Sequence, residues 1–388
     1  MRNLINLMNN KEGKNTICIH EGEIRDEQFG GAISPIYLAS SYPFIDQDEK
    51  RYPRYFNTPN QEVIARKVAA LENAEAALPF SSGMAAISTA LLAFLKKGDH
   101  AVFQNEIYGG SFNLVVKEFE NYGIEFTFTR GLEVEDFEEA MRPNTRVVYI
   151  ETPSNPLLSI TDIKGVADMA RSKGAISIID NTFASPINQT PIDLGIDISL
   201  HSATKYLGGH SDLCAGVVAG SREHINRILH KGRNFGGSLS EFTCFMLERS
   251  MKTLGLRIEK HNENAGFIAE QLQGMNGIAK VFYPGLKQHR NHELARAQMH
   301  GFGGMLSFEL DGRIDARSFQ QNLGMIKPAM SLAGVESTVI QPTLTSHALM
   351  GPEERARQGI SDQLIRLSVG LENKEDILED LARAIKRS

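Results

Sequence analysis

The sequence predicts an α/β fold, with a mostly parallel central sheet followed by a smaller C-terminal α/β domain. Two patterns carry that expectation. Between about residues 76 and 219, short apolar strand-like runs alternate with helical runs, the order that builds a parallel sheet with helices on both faces. Beyond that point helical spacing dominates and strands recur only at intervals. Length and composition agree with both. With 388 residues, 41% hydrophobic and 23% charged, the chain can bury large cores and has no signature of disorder or of a fibrous repeat. The expected division is an N-terminal arm over 1–50, a first domain over 51–245 and a second over 246–388.

Charge and cysteine content narrow the partners. A net charge of -6 and a pI near 6.0 supply no general basic footprint, so neither nucleic acid nor an acidic membrane is an expected partner. Small molecules are. Cys18, Cys214 and Cys244 are far apart and lack metal-ligand spacing, which argues against a disulfide scaffold and against a metal site. Met1 to Asn10 lacks the succession of a signal peptide, and no apolar run is long enough to span a bilayer. A soluble, cytoplasmic protein is expected.

Taken in order, residues up to about Asp48 show no sustained periodicity and read as an extended arm. Arg51 to Asn60 is dense in cations, aromatics and prolines; it fits a loop that holds a shape and shows charge, or an arginine-rich surface turn. Gln61–Glu72 has helical spacing, and Ala76–Phe80 reads as a strand. Ser81-Ser82-Gly83-Met84 then opens the alanine-rich helix Ala85–Leu95. Such a helix start is either an anion site, with free backbone donors at the positive dipole end, or a plain serine cap.

Further strands are expected at His100–Gln104, Glu125–Thr129, Arg146–Ile150 and Ala175–Ile179, with helices at Gly109–Tyr122 and Ile163–Lys173. Ligands of such sheets bind beyond the carboxyl ends of the strands. Tyr108, Asn155, Asp180 and Lys205 each lie just past a predicted strand end, so four separate stretches deliver polar side chains to one rim.

The stretch His201 to Asp212 sets Lys205 among small hydroxyl residues and glycines, just after the apolar run Ile196–Leu200. Such a lysine is either a solvated charge or, when buried near positive charge, a free amine able to attack an aldehyde. After Val217 and Ala219 come helices at Arg222–His230 and, as one long segment, Leu239–Gln273. Strands are expected at Val281–Tyr283, Gly304–Leu310 and Leu364–Val369, with helices at His292–Met299, Asp315–Asn322 and Lys374–Arg387. Arg366 interrupts an apolar strand; it is either an edge residue facing water or a buried fork for a carboxylate. No dinucleotide or P-loop motif is present, and His289, His292 and His300 read as exposed histidines.

With these stretches in view, the chain resembles the Cys/Met-metabolism family of pyridoxal phosphate (PLP) enzymes, from about Thr16 to its end. The resemblance rests on SSGMAA (81–86), ETPSNP (151–156), IDNTFASP (179–186), HSATKYLGGHSD (201–212) and IRLSVGLE (365–372). It implies the aspartate-aminotransferase-like type I fold, PLP as cofactor and Lys205 as the Schiff-base lysine. Gly83, Met84, Ser202 and Thr204 are then expected on the cofactor phosphate, and Ser82 and Thr182 complete the cofactor contacts. Asp180 resembles the carboxylate that keeps the pyridine nitrogen protonated, Tyr108 the tyrosine stacked on the ring, and Asn155 the asparagine near the ring hydroxyl. Tyr52 and Arg54 resemble a pair that reaches the phosphate of a neighbouring subunit, which implies an active unit of at least a dimer; the resemblance further implies a homotetramer built as a dimer of dimers, the family's usual state. Arg366, assisted by Ser331, is expected to clamp the substrate α-carboxylate. Lys205 is expected to move protons as general base, then acid. A phenol of Tyr108 acidified by nearby cations would act beside it.

The implied activity is carbon–sulfur lysis by β- or γ-elimination on a small sulfur amino acid such as cystathionine, cysteine, homocysteine or methionine. The alternatives are γ-replacement on an activated homoserine ester and, more remotely, a non-catalytic PLP-binding protein. The family's usual Asn-Pro-Thr after Tyr-x-Arg is Asn57-Thr58-Pro59-Asn60 here, its Met-Thr-His is Thr345-Ser346-His347, and three single positions also depart. Met330 stands where the cystathionine γ-enzymes usually have glutamate, Asn113 where they tend to have arginine, and Gly110 where methionine gamma-lyase has cysteine. Two lost charges at the substrate site should weaken recognition of a substrate with a second charged end.

Overall fold

The structure is a computed structural model, which describes residues 13–348 and 351–388. The first twelve residues of the expected arm therefore lie outside the described residues. The rest of the arm is not wholly extended, because Lys14–His20 forms a short helix, α1. Its C-terminal carbonyls are held by a buried lysine. Lys67 Nζ donates to Cys18 O at 2.9 Å, with Ile17 O and Ile19 O at 3.4 Å. A seven-residue helix with no strong apolar periodicity is marginal alone, which is why the sequence hides it.

Helix α2 (Pro59–Leu71) starts with a capping box of Thr58 and Gln61. From there strands and helices alternate as expected: β1 (Ala76–Phe80), α3 (Gly83–Phe94), β2 (His100–Phe103), α4 (Gly109–Glu118), β3 (Glu125–Phe128), β4 (Thr145–Glu151), α6 (Ile163–Ser172), β5 (Ile176–Asp180), β6 (Ile198–His201) and β7 (Gly216–Gly220). Two short helices, α5 (Val134–Ala140) and α7 (Ser185–Asn188), are not evident from periodicity. The strands form one sheet in the order β1-β7-β6-β5-β4-β2-β3. All neighbours are parallel except β7, which runs antiparallel to β1 and β6.

Both faces of this sheet are covered, as a two-residue period on β4 makes plain. Val147 and Tyr149 join the core under α3 and the later helix α8 (Arg222–Phe235), while Val148 and Ile150 join the core under α6.

The expected long helix over 239–273 is two helices, α9 (Glu241–Met251) and α10 (Leu254–Leu272), parted at Lys252 and Thr253. The expected domain boundary near 246 falls inside α9. A smaller sheet comes next, in the order β10 (Lys327–Pro328), β11 (Thr338–Ile340), β12 (Leu364–Ser368), β9 (Met305–Leu310) and β8 (Ile278–Phe282). Helices α10, α12 (Ala316–Asn322) and α14 (Lys374–Arg387) pack with it around Ile258, Ile268, Phe308, Phe319, Leu367 and Leu381. Helices α11 (His292–Gln298) and α13 (Pro352–Arg357) complete the described α-helices. Of the three histidines read as exposed, only His300 is; His289 and His292 are half-buried.

Candidate active site

A cavity of about 570 Å³ opens where β4, β5 and β6 end, closed on its far side by the loop 330–332 and by β12. Its wall includes Ser82, Gly83, Met84, Tyr108, Asn155, Asp180, Thr182, Ser202, Thr204 and Lys205 from the first sheet's loops. The second sheet and its loops contribute Arg366, Ser331 and Met330, and Asn113 reaches in from α4. Of the expected site residues, only Tyr52 and Arg54 stand apart. Both are exposed on the 51–56 loop, where Arg54 donates to the carbonyl of Arg233 and its guanidinium lies 5.3 Å from the Tyr55 ring centroid.

Lys205 Nζ donates to Ser331 Oγ at 2.8 Å. Burial, reinforced by the Arg366 guanidinium, lowers its pKa to about 8. Its backbone is pinned from behind. Arg257, buried on α10, donates to Tyr206 O at 2.7 Å and reaches Leu207 O and Ser250 O, while the Tyr206 hydroxyl accepts from Gly304 N–H at 3.0 Å. Gly209 is required here: its φ is +69°, and a Cβ on it would lie 2.0 Å from Arg257 Nη1.

Arg366 is buried rather than facing water. It donates to Asn155 Oδ1 at 2.8 Å and to Ser331 O at 3.2 Å. Ser331, which touches both Lys205 and Arg366, has a φ of +83°, a left-handed backbone in a non-glycine residue. Strained residues of this kind persist where surrounding contacts over-determine them, and they gather at functional sites.

Asp180 sits at the cavity floor and accepts from the Thr182 amide at 3.0 Å. Burial raises its pKa, partly offset by Thr182 and His201. Behind it, His201 Nε2 lies 2.5 Å from Glu72 Oε1, which also accepts from Asn181 Nδ2 at 3.1 Å. Tyr108 gives a correction. Burial, Glu151 and Asp180 raise the phenol's pKa and outweigh Arg366, so the phenol is held protonated rather than acidified. Gly110 sets where that ring rests, since a Cβ there would fall 2.4 Å from Tyr108 Cε1.

Ser82 caps α3 by accepting from the Ala85 amide at 3.1 Å, leaving the first-turn amides of Gly83 and Met84 without helical acceptors. Gly83 faces Ser202 so closely that a Cβ would lie 2.8 Å from Ser202 Cβ. These residues fit PLP on the chemistry of the donor set. Amides and hydroxyls converge at the positive end of a helix, a deep carboxylate has no guanidinium or ammonium partner of its own, and an amine of lowered pKa shares the cavity.

Glu151, Glu72, His201 and Arg257 received no role from the sequence. Glu151 and His201 lie inside the motifs of the resemblance, yet only the register of β4, β5 and β6 shows what they face. Among the described residues, no group of three or more metal-ligating side chains converges, and no helix is long and apolar enough to cross a membrane.

The model of the family described as Cys/Met metabolism PLP-dependent enzyme matches residues 15–386. Cystathionine gamma-lyase of Bacillus subtilis (strain 168) is 43% identical over 376 residues, 96% of this chain and 99% of the relative. Cystathionine beta-lyase of the same organism is 42% identical, covering 96% of each chain. L-methionine gamma-lyase of Fusobacterium nucleatum subsp. polymorphum is 40% identical, covering 97% of this chain and 99% of its own. The crystal structure of cystathionine gamma-lyase from Lactobacillus plantarum complexed with L-serine superposes with a TM-score of 0.94 at 38% identity, covering 97% of this chain and 99% of that one. A match that runs nearly end to end in sequence and in fold, around a cavity suited to the cofactor, has one conclusion: the chain belongs to the Cys/Met metabolism family of PLP-dependent enzymes, with their type I fold and their cofactor.

Proposed function

We propose that this enzyme is a carbon–sulfur lyase that eliminates at the β or γ carbon of a small sulfur amino acid such as cystathionine, cysteine, homocysteine or methionine. The observation that carries the reading is the convergence of Lys205, Asp180, Tyr108 and Arg366, from four separate stretches, on one cavity. Bound there, PLP supplies an electron sink for negative charge at the substrate α carbon. Asp180, Ser202, Thr204 and the start of α3 hold it, with Asn155 and Thr182 beside the ring. Arg366 binds the α-carboxylate with its planar fork. Lys205, its pKa lowered to about 8 so that part of it is free amine near neutral pH, and steered by Ser331, takes the proton from the α carbon and returns one later. Tyr108, kept protonated, is the donor to the leaving sulfur.

The ionisable acids and cations in the cavity wall are Glu151, Asp180, Lys205 and Arg366. One guanidinium serves one carboxylate. The wall also carries Met330, 75% exposed, and Asn113, so among the described residues these two positions offer the distal end of the substrate no charge. Substrates with an uncharged tail should therefore compete well with cystathionine.

The oligomer belongs to the same proposal. Tyr52 and Arg54 sit away from their own cavity, and Phe29, Leu38, Phe44 and Ile45 expose apolar surface on the arm before them. Together they support a subunit contact in which the 51–56 loop completes a neighbour's phosphate site, within a dimer of dimers. The free thiols of Cys18, Cys214 and Cys244 suit a reducing cytoplasm.

Purified enzyme given L-cystathionine tests the activity. Pyruvate with homocysteine means β-elimination, and 2-oxobutyrate with cysteine means γ-elimination. No keto acid from any of the four amino acids, together with turnover of a homoserine ester only when a thiol is added, would overturn the lyase reading in favour of replacement.

A further inference from the structure

One carboxylate in the cavity wall, Glu151, takes no part in the binding and proton transfers of the proposed reaction. Its position is set by the sheet. Strands β4 and β5 are parallel neighbours whose register pairs Glu151 with Asp180, and both continue the face begun by Val147, Tyr149 and Ile178. The two carboxyls therefore project side by side from strands about 4.8 Å apart. Both are buried, at 4% and 6% exposed. Two full negative charges so placed disfavour each other strongly where little water screens them, so the pair keeps one proton.

The surroundings decide which carboxyl holds it. Asp180 accepts from the Thr182 amide and has His201 nearby, backed by Glu72. Glu151 faces Asp180, the amides of Tyr108 and Asn155, the Tyr149 phenol and, farther off, Arg366. The Arg366 guanidinium is already engaged by Asn155 and Ser331. Burial and the neighbouring Asp180 push Glu151 well above the carboxylate range. Its Oε2 accepts the Tyr108 N–H at 2.7 Å; that bond favours the ionised form, but burial and Asp180 outweigh it, and the neutral acid keeps a weaker acceptor for the same N–H.

We propose that Glu151 is a protonated positioning residue: it leaves Asp180 as the only negative charge of the pair and fixes Tyr108 through its backbone amide. This rests on the cofactor and Asp180 assignments above. Glu151→Gln keeps both neutrality and the acceptor. The holoenzyme of that variant is expected to hold PLP within about two-fold of wild type, with the pH midpoint of the cofactor absorbance moved by less than about 0.3 unit. Glu151→Ala, which removes the anchor, should lower kcat by about ten-fold or more. A protonated-carboxyl infrared band at neutral pH should be present in wild type and missing in Glu151→Gln. If the glutamine variant does not fold, Glu151→Asp should move the same band. The proposal is overturned if no such band exists, or if Glu151→Gln shifts the absorbance midpoint by about one unit or more, as deletion of a real charge beside Asp180 would. The infrared band is read equally in cofactor-free protein, so its absence is distinct from failure of the cofactor assignment, which Lys205→Ala tests through loss of the reducible adduct.

Discussion

The amine of Lys205 is prepared by its neighbours rather than by its own chemistry. Burial is the larger cause of its lowered pKa and Arg366 the next, so neutral amine is available more than two units below the ordinary lysine value of 10.5. The sign is set by that shift. Cofactor-free enzyme should capture PLP faster as pH rises through about 8 and level off above it, when the amine is already neutral. Replacing Arg366 with Gln removes one positive neighbour and should move that midpoint upward. Stopped-flow absorbance across this range reads both effects. A profile that still climbs toward the ordinary lysine value in the wild type would show that Lys205 behaves as a surface lysine. The same dependence on neighbours explains why Tyr108 is not acidified: burial is the largest cause, and a single guanidinium does not offset it together with the acidic neighbours.

At the scale of an element, the start of α3 is built around the lack of a side chain at Gly83. Two effects of Gly83→Ala oppose each other. Alanine is the better helix former, by about 0.5–1 kcal/mol in a helix interior. Its Cβ, however, would sit 2.8 Å from Ser202 Cβ and 3.1 Å from Ser202 Cα, where the backbone cannot yield as a flexible side-chain tip would. At the first helical position the propensity gain is small, so the contact decides. Thermal stability should fall by about 1–3 kcal/mol, and PLP affinity by about ten-fold because the first-turn amides move away from Ser202 and Thr204. Fluorescence titration with PLP checks the affinity and calorimetry the stability. Unchanged affinity would separate this helix start from the phosphate. On the opposite side of the site, α10 acts through Arg257, which ties the carbonyls of Tyr206 and Leu207, just after Lys205, to that of Ser250 in α9.

Across the whole molecule, the two sheets divide the labour. The larger one supplies the wall that carries Lys205, Asp180 and the start of α3, the smaller one Arg366 and the loop of Ser331. The arm supplies apolar surface that the described residues leave exposed: Phe29 is 83% exposed and Leu38 72%. If the 51–56 loop serves a neighbour's cavity, two different defects can compensate. Arg54→Ala and Lys205→Ala, each inactive alone, should regain part of the wild-type activity when mixed under conditions that exchange subunits, because some hybrids hold one site with both residues intact. Keto-acid release from the mixture is the readout. No recovery after demonstrated exchange would mean that each chain completes its own site.

The sequence by itself determined whatever local periodicity and motif chemistry encode. The α/β alternation is legible because apolar runs of strand and helix period differ, and the rim of Tyr108, Asn155, Asp180 and Lys205 because parallel sheets bind at their strand ends. Short elements are not. Helices α1, α5 and α7 are too brief to show a period, and the break between α9 and α10 at Lys252 and Thr253 has no proline or glycine to mark it. Only the tertiary structure decided how side chains distant in sequence share charge: that Glu151 lies beside Asp180, that Arg257 braces the lysine loop, and that the Tyr108 phenol stays protonated. Register, burial and the distances between charges are products of packing, and a linear pattern carries none of them.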